Sequence, residues 1–342
     1  MNNKTALLLI NVGSPDKAEV WPVYRYLTQF LNDPRVIDLP WLARTLLVNG
    51  IIIPLRVRKS TGLYRRLWTD QGSPLITSSS ELAGKLQKIA AKHETIFLAM
   101  RYGHPGIKEA VDRIVNVGFD KVIVLPLYPQ YAESTTGSAI VAAELELAAQ
   151  KFRGEVITIP PFYNHPAFIS AFSERIRSYQ PETYDHIVFS YHGLPDRQVE
   201  KCHPGISIRE CRCDLAFPEH GHRCYRAQCY DTTRLIAGQL NLKFGSYSVS
   251  FQSRLSKNWL SPFTDETVIR LANEGKRKVL VAAPSFVTDC LETIVEIGQD
   301  HNALFHLHGG EKLQLVESLN AGQAWVNFLG SMIREVLSDR MV

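Results

Sequence analysis

The chain has 342 residues, with 38 Lys and Arg against 34 Asp and Glu, a net charge of +4, 45% apolar and 21% charged residues. This balance, without long runs of like charge, excludes disorder, collagen-like structure, a polytopic membrane protein and generic nucleic-acid binding. At about 100 to 200 residues per domain the length fits two domains, each able to bury a core of its own.

Read in chain order, the apolar run from Thr5 to Val12 is too short for a secretory h-region and closes on Gly13-Ser14-Pro15. It predicts a buried first strand over 6–11 of a cytoplasmic chain. The stretch 39–59 is the most apolar piece that is not an obvious strand. Asn49-Gly50 and Pro54 are expected to break it, which denies it the about 20 consecutive residues of a bilayer span. Bordered by Arg44, Arg56, Arg58, Lys59, Arg65 and Arg66, it reads as an apolar lip that dips into anionic lipid or covers the protein's own pocket.

Ser78-x-x-Glu81 has the form of a capping box opening a helix. β-branched runs then predict strands over 96–100, 121–127 and 155–159, and the Pro160-Pro161 turn marks a boundary. The second half repeats the plan, with strands over 186–191, 246–251, 278–283 and 304–307, helices near 226–240, 264–274 and 289–298, and a closing helix over 320–337. Four strands per half, alternating with helices, predict an α/β protein of two parallel sheets. The expected domains are 1–160 and 161–310, the latter with a cysteine-rich insertion at 200–230, followed by a closing helical segment over 311–342.

Ligands of such sheets sit beyond the carboxyl ends of the strands. Those segments are rich in Tyr, His, Arg and Ser, and none carries Gly-x-Gly-x-x-Gly or a phosphate-loop Gly-Lys-Ser/Thr. His192 stands at one strand end with Gly193 leaving its ring room, suited to accept a proton or hold a borderline metal ion. Asp289 with Glu292 has the form of a capping box, yet Glu292, Glu296 and Asp300 recur every four residues. Like charges at that spacing cost about 0.2–0.5 kcal/mol per pair, a penalty that a passing cation would offset.

Cys202, Cys211, Cys213, Cys224 and Cys229 crowd into 28 residues, which favours a metal or cluster site over a disulfide framework. Zinc with help from His203, His220 or His222, a [2Fe-2S] cluster on four thiolates, and reduced thiols remain three open readings.

Taken together, Asn11-Val-Gly-Ser-Pro15, Gly72-Ser-Pro-Leu75, Arg101-Tyr102, Tyr128-Pro-Gln-Tyr131, Ser134-Thr-Thr-Gly137, Ser190-Tyr-His-Gly-Leu-Pro195, Phe251-Gln-Ser-Arg254, Trp259-Leu-Ser-Pro262, Thr264-Asp-Glu266 and Asp289-Cys-Leu-Glu-Thr293 resemble the ferrochelatases over nearly the whole chain. The resemblance implies the type II chelatase fold, two Rossmann-like halves with the active site in the cleft between them. It implies insertion of Fe2+ into protoporphyrin IX, with the family's metal-site histidine and glutamate at His192 and Glu292 and a metal path through Glu296 and Asp300. Arg66 and Arg101 are expected on the propionates, with Tyr128, Ser134 and Phe286 at the macrocycle.

Two departures stand out. The cluster cysteines of the animal enzymes have no counterpart at Glu133 or in a tail beyond Val342, and Cys290 replaces a histidine. The insertion is similar instead to the internal [2Fe-2S] segment of some bacterial ferrochelatases, four of the five cysteines being the ligands. Membrane-surface association is a further expectation, and nucleic acid is not an expected partner. The alternatives are coproporphyrin, a cobalt or nickel chelatase for another tetrapyrrole, or a non-catalytic carrier of metal or tetrapyrrole.

Overall fold

The computed structural model describes residues 4–203 and 205–338. Two compact units emerge: one takes the described residues up to Tyr128, then Ala132–Pro161 and those from Ala321 onward, and the other takes Pro129–Tyr131 and Phe162–Asn320. Each is built on a four-stranded sheet.

In the first unit the strands are β1 (Thr5–Ser14), β2 (Glu94–Gly103), β3 (Lys121–Pro126) and β4 (Glu155–Thr158), in the order β2-β1-β3-β4 and all parallel. In the second they are β5 (His186–His192), β6 (Tyr247–Gln252), β7 (Lys278–Ala282) and β8 (Lys312–Leu315), again parallel, in the order β6-β5-β7-β8. Strands covered by helices on both faces are apolar throughout rather than alternating, which is why β1 and β5 read as continuous runs. Leu8, Ile10, Val122 and Val124 centre one core, and Val188, Val279, Val281 and Phe305 another. Full burial of each such side chain is worth about 1.5–3 kcal/mol.

Four expectations need correction. The run 304–307 lies in the helix Asn302–Leu307, and the last strand is β8, beyond the Gly309-Gly310 turn. A short apolar run does not distinguish strand from buried helix by periodicity, and here Phe305 packs as a helical residue. The segment 311–342 therefore opens with a strand of the second sheet, which carries the second unit past residue 310; among its described residues only Gln323–Ser338 is helix.

Ser78 and Glu81 fall inside the helix Pro74–Ile89, which begins directly after Ser73 without a side-chain cap. Pro74 starts it because its fixed φ suits a first helical position and its missing N–H would have no partner there.

The lip is not broken. Helix Trp41–Leu47 runs through a π-helical segment, Val48–Ile52, into helix Ile53–Leu67. A proline ring inside an α-helix meets the carbonyl four residues back, here that of Gly50, and the wider i→i+5 turn relieves it. Trp41 (71% exposed), Leu42, Leu46, Ile51 and Leu55 (78%) face outward, whereas Arg44 folds inward to donate to the Leu39 carbonyl at 2.6 Å. Among the described residues no helix is long and apolar enough to cross a membrane.

Candidate active site

β5 delivers His192 at its carboxyl end, half-buried beside the rings of Trp259 and Phe286, with centroids 6.4 and 6.3 Å away. His192 Nδ1 lies 2.6 Å from the Gly193 carbonyl oxygen. A carbonyl only accepts, so the proton sits on Nδ1 and Nε2 keeps its lone pair in the neutral ring. Gly193 is required here because a Cβ would stand 2.9 Å from the Gln252 carbonyl oxygen and 3.3 Å from the Trp259 ring.

Behind His192, its carbonyl accepts from the Tyr225 hydroxyl at 2.9 Å. That hydroxyl meets Ser285 Oγ at 3.2 Å, and Ser285 donates to Gln130 at 3.0 Å. Burial pushes the Tyr225 hydroxyl well above the ordinary tyrosine range, so it stays a hydrogen-bonding phenol.

Leu291–His301 is π-helical, a form that recurs at functional sites because it accommodates an extra residue. Its cap is Cys290 with Thr293, and the expected Asp289–Glu292 box is absent. Asp289 is buried and spent elsewhere, accepting from Thr293 Oγ1 at 3.0 Å, the Ser318 amide at 3.2 Å and the Asn320 side chain at 2.7 Å. Glu292 is thereby left out of the capping, half-buried, with its carboxylate against the Cys290 thiol.

Glu296 is held by Ser253, whose amide and hydroxyl donate at 2.7 and 2.5 Å. Asp300 is exposed at the far end. His301, which the sequence reading passed over, is buried with its Nδ1 unpartnered, and burial holds its pKa below the ordinary histidine value against the opposing charges of Glu296, Asp265 and Asp300. A four-residue spacing falls between the α-helical and π-helical repeats, so Glu292, Glu296 and Asp300 return to roughly the same side of the segment.

In the first unit, Arg101 donates from Nε to Ser138 at 2.7 Å and from Nη2 to Asp33 at 2.6 Å. The Tyr102 hydroxyl also donates to Asp33, at 2.8 Å. Despite burial, bonds from Ser138, the Arg35 amide and Tyr102, with the Arg101 charge, hold the Asp33 carboxyl below the usual range. Arg66 is exposed on the helix Ile53–Leu67. Tyr128 packs half-buried on the first core, and Ser134 is half-buried in a further π-helical turn, Glu133–Gly137.

The cysteine insertion is tied down by Arg226, which donates to the Ile208 and Cys211 carbonyls at 3.0 and 3.1 Å. The Cys213 thiol contacts those of Cys211 and Cys224, and the Cys224 thiol with burial pushes it far above the ordinary thiol range. Cys224 lies 2.9 Å from His203 Nε2, and Cys211 lies 3.4 Å from His220 Nε2. Donor atoms of His203, Cys211 and His220 fall within 4.8 Å of one another, and His203 Nδ1 is buried without a partner. Cys202 turns to the Arg223 carbonyl at 2.8 Å, and Cys229 is buried in the helix Tyr225–Gln239 beside Tyr225 and Ser285. Converging soft thiolates with imidazoles at the rim suit iron–sulfur or zinc ligation.

Comparison with known proteins decides the family: the ferrochelatase family model matches residues 4–337. The chain belongs to the ferrochelatase family. The chain is 41% identical over 343 residues to the ferrochelatase of Coxiella burnetii (strain CbuK_Q154), covering 98% of this chain and 95% of that protein. It is 42% identical over 332 residues to the ferrochelatase of Pseudomonas aeruginosa (strain UCBPP-PA14), covering 96% and 97%. Membership makes it a metal chelatase of heme biosynthesis. Among solved structures it is similar to SirB from Bacillus subtilis with Fe3+, with a TM-score of 0.55 at 14% identity over 97% of this chain and 95% of that one, which identifies the type II chelatase fold.

Proposed function

We propose that the chain inserts Fe2+ into protoporphyrin IX, with His192 as proton acceptor and Glu292 as its carboxylate partner. The observation that carries this reading is the His192 Nδ1–Gly193 bond, which fixes the tautomer with a lone pair on Nε2. A porphyrin must lose two pyrrole protons, and its flat ring hides the nitrogen lone pairs from an incoming ion. Bending the ring exposes them at a strain of about 1–5 kcal/mol, offset by contacts remote from the nitrogens. His192 then takes one pyrrole proton as a general base, and the second leaves by way of the Glu292 carboxylate to solvent. Imidazole with carboxylate binds ferrous iron and releases it readily. Glu292 receives the ion from a path that includes Glu296, held by Ser253, and Asp300 at the exposed end.

Arg66 and the uncommitted edge of Arg101 pair with the propionates, and Tyr128, Ser134 and Phe286 contact the macrocycle. The outward apolar side chains of 39–59 favour protoporphyrin, with two carboxylates, over coproporphyrin, with four, and suit a cytoplasmic protein resting peripherally on the inner face of the membrane.

The thiol contacts support a [2Fe-2S] cluster on Cys211, Cys213 and Cys224, with Cys202 or Cys229 as fourth ligand. Such a cluster would supply a one-electron redox centre and a covalent tie across the insertion. A second reading, zinc on His203, Cys211 and His220, is favoured by the approach of their donor atoms.

Purified protein given Fe2+ or Zn2+ with protoporphyrin or coproporphyrin tests the reaction. Many turnovers with protoporphyrin and few with coproporphyrin support the reading; stoichiometric binding alone would make the protein a carrier.

A further inference from the structure

The two groups assigned to the chemistry are far apart in the chain, and one buried side chain joins the segments that bear them. Gln252, the last residue of β6, is 2% exposed. Its backbone pairs with His192, and its carbonyl oxygen accepts from the Gly193 amide at 2.8 Å. Its side-chain oxygen accepts from Ser190 Oγ at 2.7 Å. A hydroxyl can donate or accept, so the amide is oriented at its other end, where the Glu292 carbonyl and the Glu296 carboxylate can only accept. The NH2 end then points to the π-helical segment, donating to the Glu292 carbonyl at 2.8 Å, with Glu296 Oε2 at 3.5 Å.

The arrangement is anchored on both sides. Ser190 meets Thr264, which meets Ser250, each at 2.9 Å between hydroxyl oxygens. Ser253, directly after Gln252, holds Glu296 from a backbone at φ +63°, a conformation that a serine adopts only when its surroundings impose it. Both strand ends and the first turn of the π-helical segment therefore converge on one residue, the first through its main-chain carbonyl and Ser190, the last through its side-chain amide.

We propose that Gln252 is a positioning residue that sets the separation of His192 from Glu292, acting through the Gly193 amide on one side and the Glu292 backbone on the other. The proposal rests on the reading of His192 and Glu292 as the reacting groups. A nonpolar side chain of equal length would keep the packing while releasing the Glu292 carbonyl. Misplacement of a reacting group by about 1 Å can lower the rate by about 100-fold.

The test compares Gln252→Met, Ser190→Ala, His192→Ala, Glu292→Gln and the double variant Gln252→Met/Glu292→Gln by steady-state insertion and by amide hydrogen exchange. Gln252→Met should lower kcat by about 10- to 100-fold, with the KM for porphyrin changed less than about twofold, and should speed exchange within Leu291–His301. In the double variant most of that loss should vanish, because an effect transmitted through Glu292 has nothing to act on once its charge is gone. Ser190→Ala should lower kcat in the same sense by a smaller factor, and it decides the matter if Gln252→Met does not fold. Unchanged kcat in the variant that folds, or losses that multiply fully with Glu292→Gln, would overturn the positioning role. Near-full turnover by His192→Ala and Glu292→Gln would instead sink the assignment of the site.

Discussion

The Arg101 guanidinium meets the Asp33 carboxylate at 2.6 Å, with the carboxylate side chain 2% exposed and the arginine 25%. Asp33 also accepts from Tyr102, Ser138 and the Arg35 amide, so one acid gathers four donors. Asp33→Ala should cost about 2–3 kcal/mol in urea unfolding, somewhat below the loss for a fully buried pair because Arg101 keeps part of its hydration. A stability within about 0.5 kcal/mol of the parent would show that the donors find other partners.

Glu292→Gln should lower kcat by at least about 100-fold while leaving the midpoint of thermal unfolding within about 1 °C of the parent. The cap is Cys290 with Thr293, so the Glu292 charge has no capping duty to lose. Thr293→Val should do the reverse, lowering stability by about 1 kcal/mol with a smaller effect on turnover. A Glu292→Gln protein that is destabilised yet active would return that residue to a structural role.

His186, buried at the start of β5 against Ser248 at 3.0 Å, has its pKa lowered to about 4 by burial, with the charges of Lys276 and Arg270 acting the same way. Between that value and the unfolded pKa of about 6.5, the unfolded chain binds a proton that the native state refuses. The resulting penalty is absent above about pH 6.5 and grows as pH falls toward 4, by up to about 1.4 kcal/mol per pH unit. Unfolding curves across this range should show that slope in the parent and lose it in His186→Gln.

Leu46→Asp with Leu55→Asp should reduce flotation with anionic liposomes by at least about fivefold, since both side chains are exposed on the lip. Circular dichroism should be unchanged. Equal flotation of parent and double variant would remove the lip as the contact.

Protein purified without oxygen should be red-brown and contain inorganic sulfide, and Cys213→Ser should bleach it, because that thiol touches two others. Colourless protein with one zinc and no sulfide, lost in His220→Ala, would establish the imidazole-rich alternative.

The doubly used sheet was legible because buried parallel strands write themselves as β-branched runs, and His192 was legible as a polar residue terminating one. What escaped needed partners distant in sequence. Nothing local tells that Asp289 bonds Ser318 and Asn320, leaving the cap to Cys290. Nor does Phe251-Gln-Ser-Arg254 say that Gln252 reaches both Ser190 and Glu292. The continuous helix through Asn49, Gly50 and Pro54 was missed because breaker rules assume α-helical geometry, where a proline clash must end or kink the helix. The run 304–307 was too short for its periodicity to tell helix from strand.

The eleven π-helical residues from Leu291 to His301 also act as a rotational setting for the chain. Each residue of such a helix turns the chain by roughly 80–100°, so removing one without tightening the wide turns would swing everything downstream by about that angle. Such a deletion between Glu292 and Glu296 would alter no chemical group in the site, yet it would carry Glu296 off Ser253 and Phe305 out of its core position. The length of this stretch is therefore under as much constraint as its acidic residues.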